Sequence, residues 1–93
     1  MDVNFVVLKG RVVKDATYTV TATGGTICEW RLAVALSPKL TEYHTCKLWG
    51  GKAEELAPRL TKGVPVLVEG ALRAQGYEKD GQKRTSSWIS AGR

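Results

Sequence analysis

The chain is poor in the residues on which most enzymes depend. It holds one histidine and two cysteines among 93 residues. It has no nucleophile elbow, phosphate-binding loop or paired-carboxylate motif. Asp80 falls in a turn signal, and Glu54 and Glu55 belong to a helix candidate. Catalysis therefore has little support, and a binding protein is expected. Cys28 and Cys46 show no C-x-x-C spacing. His44 and Cys46 share one face of a candidate strand, but a metal site would need about two further ligands and none lies nearby in sequence. Both cysteines read as small, buried, reduced side chains, and no metal or other cofactor is expected. No apolar run approaches a membrane span, and the N-terminus lacks a signal-peptide pattern. The expectation is a soluble, cytoplasmic protein with no membrane partner. There is no internal repeat, low-complexity segment or linker. The length leaves room for a single domain, residues 1–93, whose modest core would benefit from oligomerisation.

What the chain does have is positive charge and glycine. Fourteen Lys and Arg against nine Asp and Glu give a net charge of +5, a mild bias toward polyanionic partners. Ten glycines point to turns and bends. The most informative stretch is 41–49, Thr-Glu-Tyr-His-Thr-Cys-Lys-Leu-Trp. As a strand it puts Tyr43, Thr45, Lys47 and Trp49 on one face and His44, Cys46 and Leu48 on the other. One face thus offers two aromatics with a cation between them. Nucleic-acid bases can stack on such rings while the cation meets a phosphate. The bland alternative is that both aromatics pack in the core.

The rest of the chain reads as further strands. The first runs from Phe5 to Lys14 with Gly10 marking a bulge or bend, and Thr17 to Thr23 could extend a hairpin arm. In the second, Thr26 to Leu36, the residues Cys28, Trp30, Leu32, Val34 and Leu36 share the core parity. A loop at 37–40 leads into the third strand, 41–49. Residues 52–62 are the one helical candidate, with Gly63 as C-cap. Pro58 fits only the first turn of a shorter helix that begins late. A fourth strand opens at Val64 and bends at Gly70; beyond it Arg73, Gln75 and Tyr77 share a face. Lys79-Asp80-Gly81 is a hairpin turn into a fifth strand, Gln82 to Ser90. An all-β chain with one short helix between its third and fourth strands describes a five-stranded Greek-key barrel, the OB-fold.

With these residues in place the chain resembles the bacterial single-stranded-DNA-binding proteins (SSB). The segments that carry the resemblance are NFVVLKGRVVK (4–14), GGTICEWRLAV (24–34), TEYH (41–44), LWGGKAE (48–54), LTKG (60–63), VLVEGALR (66–73) and DGQKR (80–84). Each is weak alone; their order and spacing together are specific. The family's Trp-His after Thr-Glu is Tyr43-His44 here, and its Leu-Phe-Gly is Leu48-Trp49-Gly50. Its aromatic shortly after Glu-Gly-x-Leu-Arg matches Tyr77. The resemblance implies that Tyr43, Trp49 and Tyr77 stack on bases, that His44 serves subunit association, and that the protein is a homotetramer, with a dimer as runner-up. Three departures stand out. The family's Asp-Pro-Glu is Asp15-Ala16-Thr17, the loop at 37–40 lacks the usual aromatic, and Trp88 stands where a polar residue is common. The family's long Gly/Pro/Gln-rich tail with an acidic tip has no counterpart in these residues, so tail-mediated recruitment of other proteins is not expected from this chain.

The expected function is sequence-tolerant binding of single-stranded DNA in replication, recombination or repair, in a cytoplasmic, nucleoid-associated setting of bacterial, plasmid or phage origin. Candidate phosphate contacts are Lys9, Arg11, Arg31, Lys47, Arg73, Lys83 and Arg84. Two alternatives stand beside it: a tailless replication-restart accessory protein of the same fold that acts through protein contacts, and a structural OB domain that binds only protein.

Overall fold

The computed structural model describes residues 2–91, apart from the side chains of residues 84–86. Six strands and one helix follow in the order β1 (Val6–Val12), β2 (Thr17–Val20), β3 (Thr26–Ser37), β4 (Leu40–Trp49), α1 (Gly51–Leu56), β5 (Pro65–Lys79) and β6 (Gln82–Ala91). The sheet order is β1-β5-β6-β4-β3-β2, and β1 also pairs with β3. That last pairing closes β1, β5, β6, β4 and β3 into a five-stranded barrel. β2 lies outside the closure as an arm on β3, as its polar, β-branched composition suggested. Among the described residues no helix is long and apolar enough to cross a membrane.

Closure requires single strands to serve two neighbours. β1 pairs with β5 through residues 6–11 and with β3 at Arg11 and Val12. β5 pairs with β1 up to Gly70 and with β6 from Gly70 onward. The two expected bends, Gly10 and Gly70, sit at these changes of partner. A Cβ on Gly10 would run into the Ala33 carbonyl, and one on Gly70 into the Ser90 carbonyl. Glycine is required at both by the close approach of backbones. The Asn4 side chain secures the same corner. Its Nδ2 donates to the Leu72 carbonyl at 2.7 Å, and the Leu72 N–H donates to its Oδ1 at 2.9 Å.

Alternation along the strands fills the barrel. Val12, Cys28, Trp30, Leu32, Cys46, Leu48, Val68 and Ile89 are buried, joined by Ala53 of α1 and Leu60. No polar or charged side chain is buried among the described residues. Trp30 is in the core, as its parity indicated. Leu36 is not; it is 55% exposed. Its parity is right, but β1 covers β3 only at Leu32 and Ala33. Beyond Val34, itself half buried against the core, the β3–β4 hairpin projects as an arm with both faces in solvent. The β5–β6 hairpin projects likewise past Leu72. It ends in a two-residue turn with Asp80 at φ 53° and Gly81 at φ 75°, the left-handed pair that the Asp-Gly signal demands.

The helix differs from expectation in its placement. α1 begins at Gly51 and stops at Leu56, before the proline, and Pro58 opens a separate 3₁₀ turn, Ala57–Arg59. Proline has no N–H to continue the α-helical ladder, so the helix lies ahead of it. Gly63 does not cap this helix. Its N–H donates to the Val12 carbonyl at 2.8 Å, where it turns the chain into β5. The Lys62 N–H donates to an Asp15 carboxylate oxygen at 2.8 Å, tying the connection to the end of β1.

Candidate nucleic-acid interface

β4 is the centre of the candidate interface because its alternation is clean. Cys46 and Leu48 are buried, while Tyr43 is 52% and Trp49 44% exposed. The two aromatics are therefore not core residues. β3 runs beside β4 with Ile27 opposite Trp49, Glu29 opposite Lys47, Arg31 opposite Thr45 and Ala33 opposite Tyr43. Side chains opposite one another in an antiparallel pair share a face. This outer face thus carries Tyr43, Arg31, Thr45, Glu29, Lys47 and Trp49 together.

The cations on it are held in place. The Arg31 guanidinium carbon lies 5.7 Å from the Tyr43 ring centroid, and Arg31 Nη1 donates to Thr45 Oγ1 at 3.4 Å. Lys47 Nζ is 3.8 Å from Glu29 Oε1 and 4.4 Å from the centroid of the Trp88 ring. Both geometries are within the range of cation–π attraction. They steady the long side chains while leaving the arginine's other N–H donors available.

β6 and β5 continue the face. β6 joins β4 in parallel through Cys46–Ile89 and Lys47–Ser90. With Ile89 inward, Trp88 and Ser90 face outward. Arg73 of β5 stands opposite Trp88, and Tyr77 opposite Arg84 on the projecting arm. Tyr77 is 46% exposed. The Arg84 side chain lies outside the described residues. Lys83 is paired with Glu78, one residue out of phase with Tyr77, and so occupies the reverse face of the arm. Lys9 and Arg11 reach the outside of β1. With Ala33, Ala35, Thr41 and Pro65 they border a hollow of about 360 Å³ on the flank of β3 away from Lys47. Arg11 stands opposite Ala33, itself opposite Tyr43, so this basic pair is continuous with the aromatic face. Arg11 Nη1 also donates to the Gly63 carbonyl at 3.1 Å.

His44 takes the inward parity of β4 beside the core, but near the end of the barrel where it is only half buried. Its Nε2 lies 3.4 Å from Glu42 Oε1 on the same strand. The two cysteines are free and buried. Burial pushes the Cys28 thiol up, and the Cys46 thiol up to about 11. Among the described residues no three His, Cys, Asp or Glu side chains gather as a metal site would require.

Trp88 is the member of this face that sequence reasoning left unplaced. Its own strand gave the signal, since it alternates with the apolar Ile89. Its neighbour Lys47 is 41 positions away in the chain, and only barrel closure brings the two together.

The sequence model of the Single-strand binding protein family matches residues 3–93. A single-stranded DNA-binding protein of Treponema pallidum is 37% identical over 97 residues, covering 97% of this chain and 55% of its own length. A single-stranded DNA-binding protein 1 of Xylella fastidiosa is 36% identical over 83 residues, covering 87% of this chain and 61% of its own. A single-stranded DNA-binding protein of Aquifex aeolicus is 33% identical over 88 residues, covering 86% and 60%. The chain thus spans little more than half the length of these relatives.

Proposed function

This chain belongs to the single-strand binding protein family, and we propose that it binds single-stranded DNA with little sequence preference, without catalysis. The observation that supports this most is the outer face of β3 and β4, where Tyr43 and Trp49 stand exposed beside Arg31 and Lys47. Every base has a π-face, so exposed rings accept bases of any sequence. The adjacent cations meet phosphates and release counterions. In this reading Tyr43, Trp49 and Tyr77 stack on bases, and Lys9, Arg11, Arg31, Lys47, Arg73 and Arg84 follow the backbone. Lys83, on the reverse face of its arm, contributes least.

Self-association belongs to the same reading, as a homotetramer with a dimer as runner-up. Val3, Phe5, Val7 and Leu67 are exposed on and around the β1–β5 face, a grouping that favours a protein partner over water. His44, half buried at the barrel's end, is assigned to a subunit contact. A DNA partner places the protein with the nucleoid and in replication, recombination or repair.

The test is a titration of intrinsic fluorescence with oligo-dT and with duplex of equal length, at several salt concentrations, alongside a solution mass measurement. Tighter binding of the single strand, weakening with salt, is the expected result. Equal affinity for the duplex would remove the stacking reading, and no binding at all would favour a protein-only OB domain.

A further inference from the structure

Glu29 stands where a face built for a polyanion should least tolerate it. On β3 it is opposite Lys47, with the Ile27–Trp49 pair on one side of it and the Arg31–Thr45 pair on the other. Tyr43 and Trp49 lie six residues apart on β4, about 20 Å at the usual strand rise, and Glu29 falls between them. Among the described outward residues of β3 and β4 it is the one acid. Its side chain is 48% exposed. Lys47 does not cancel it. The ammonium is 3.8 Å from Glu29 Oε1, long for an ion pair, and is drawn the other way by the Trp88 ring at 4.4 Å. A carboxylate so placed repels phosphate, and a phosphate that takes Lys47 leaves it unpaired.

We propose that Glu29 is the residue on this face that excludes duplex DNA. The proposal rests on the single-strand reading above and names a residue that enforces it. A single strand laid on Tyr43 and Trp49 turns its bases toward the sheet and carries its phosphates to the flanks, where Lys9, Arg11 and Arg73 lie. Between the rings Glu29 then meets base edges, whose amino groups are donors that a carboxylate accepts. A duplex turns its bases inward and its phosphates outward, one charge per about 1.7 Å of axis. A duplex resting on this face brings phosphates of both strands to its middle, against Glu29. The exposed rings offer it no stack in return. Stacking thus selects the single strand by attraction, and Glu29 selects it by repelling the competitor.

The experiment measures the affinities of oligo-dT and of a duplex of equal length, at low salt, for the wild type, Glu29→Gln and Glu78→Gln. Glu78 lies opposite Lys83 on the reverse face of the β5–β6 arm, so its variant reports the effect of net charge alone. Glu29→Gln should tighten duplex binding about tenfold, the effect of one like charge a few ångströms away at a protein surface, and oligo-dT binding by less than about threefold. Glu78→Gln should leave the ratio of the two affinities unaltered. Equal tightening of both ligands by Glu29→Gln, or unchanged duplex binding, would overturn the proposal. The same substitution in a Lys47→Met background separates direct repulsion from release of the lysine. The gain in duplex affinity should persist there; its disappearance would overturn the proposal and show that Glu29 acts only by occupying Lys47. Should Glu29→Gln fail to fold, Glu29→Ser is read by the same ratio. A wild-type protein that binds both ligands alike would overturn the single-strand reading itself, and this proposal with it.

Discussion

Lys47 Nζ lies 4.4 Å from the centre of the Trp88 ring, across the parallel join between β4 and β6. The contact links the strand whose alternation marked the candidate interface to the last strand of the barrel. It also makes Lys47 a shared residue, drawn on one side by Glu29 at 3.8 Å and on the other by the indole. Exposed pairs of this kind contribute little to stability. Their effect here is to fix where the ammonium and the indole stand on the outer face.

Trp49→Ala is expected to weaken oligo-dT binding by about 1–3 kcal/mol, the usual cost of one stacked base, with little change in melting temperature because the ring is exposed. Fluorescence titration gives the first quantity and a circular-dichroism melt the second. A large fall in melting temperature with unchanged affinity of the folded protein would show Trp49 to be a packing residue.

Removal of a cation should be visible in the salt dependence. Each phosphate contact to a single strand contributes about 0.7 to the slope of log affinity against log salt. Arg31→Ala, Lys47→Ala and Arg73→Ala should each flatten that slope by about this amount. Lys83→Ala, on the reverse face opposite Glu78, should leave it nearly unaltered. If Lys83 flattens the slope as much as Lys47, the strand runs along the other side of the β5–β6 arm.

Gly70→Ala and Gly10→Ala should be among the most damaging small substitutions. The new methyl would meet a backbone carbonyl in each case, Ser90 or Ala33, and a paired strand has little freedom to yield. A loss of at least about 3 kcal/mol is expected, at the upper end of the overpacking range. Gly81→Ala, strained only by its φ of 75° with open space around it, should cost about 1 kcal/mol. Urea denaturation of the three variants would order them, and equal losses would contradict the strand-sharing account.

The buried thiols should make the protein alkali-sensitive. Burial raises both cysteine pKa values, that of Cys46 to about 11 from an ordinary 9.0. An acid whose folded pKa is raised is held neutral by the fold, while in the unfolded chain it ionises sooner. Its stabilisation is complete below about pH 9 and is lost as pH rises from there through about 11. Urea midpoints measured between pH 8 and 10.5 should fall for the wild type, and fall less for Cys46→Ala once its lower starting stability is subtracted. Parallel curves for the two proteins would show that other groups govern the alkaline limb.

Much of this architecture was legible in the chain because it obeys local rules. The alternation of 41–49 separated Tyr43, Lys47 and Trp49 from Cys46 and Leu48. Gly10 and Gly70 marked the bends, and Asp80-Gly81 the turn. The helix was misplaced because Pro58 interrupts a helical ladder without saying whether the residues before it or after it form the helix. The packing of Ala53 into the core decided that. Leu36 kept its parity and lost its burial, since parity cannot say where a neighbouring strand ends.

What the chain determined alone, then, was which side chains share a face within each strand, for alternation is a property of the extended backbone. Which faces meet was decided by closure of the barrel. Arg31 and Tyr43 are brought into register by a nearby hairpin, but Lys47 and Trp88 meet only because β6 lies parallel to β4 after β5 has changed partners at Gly70. That arrangement depends on burying Cys46, Leu48, Val68 and Ile89 in one core, and no local rule encodes a register between strands so far apart.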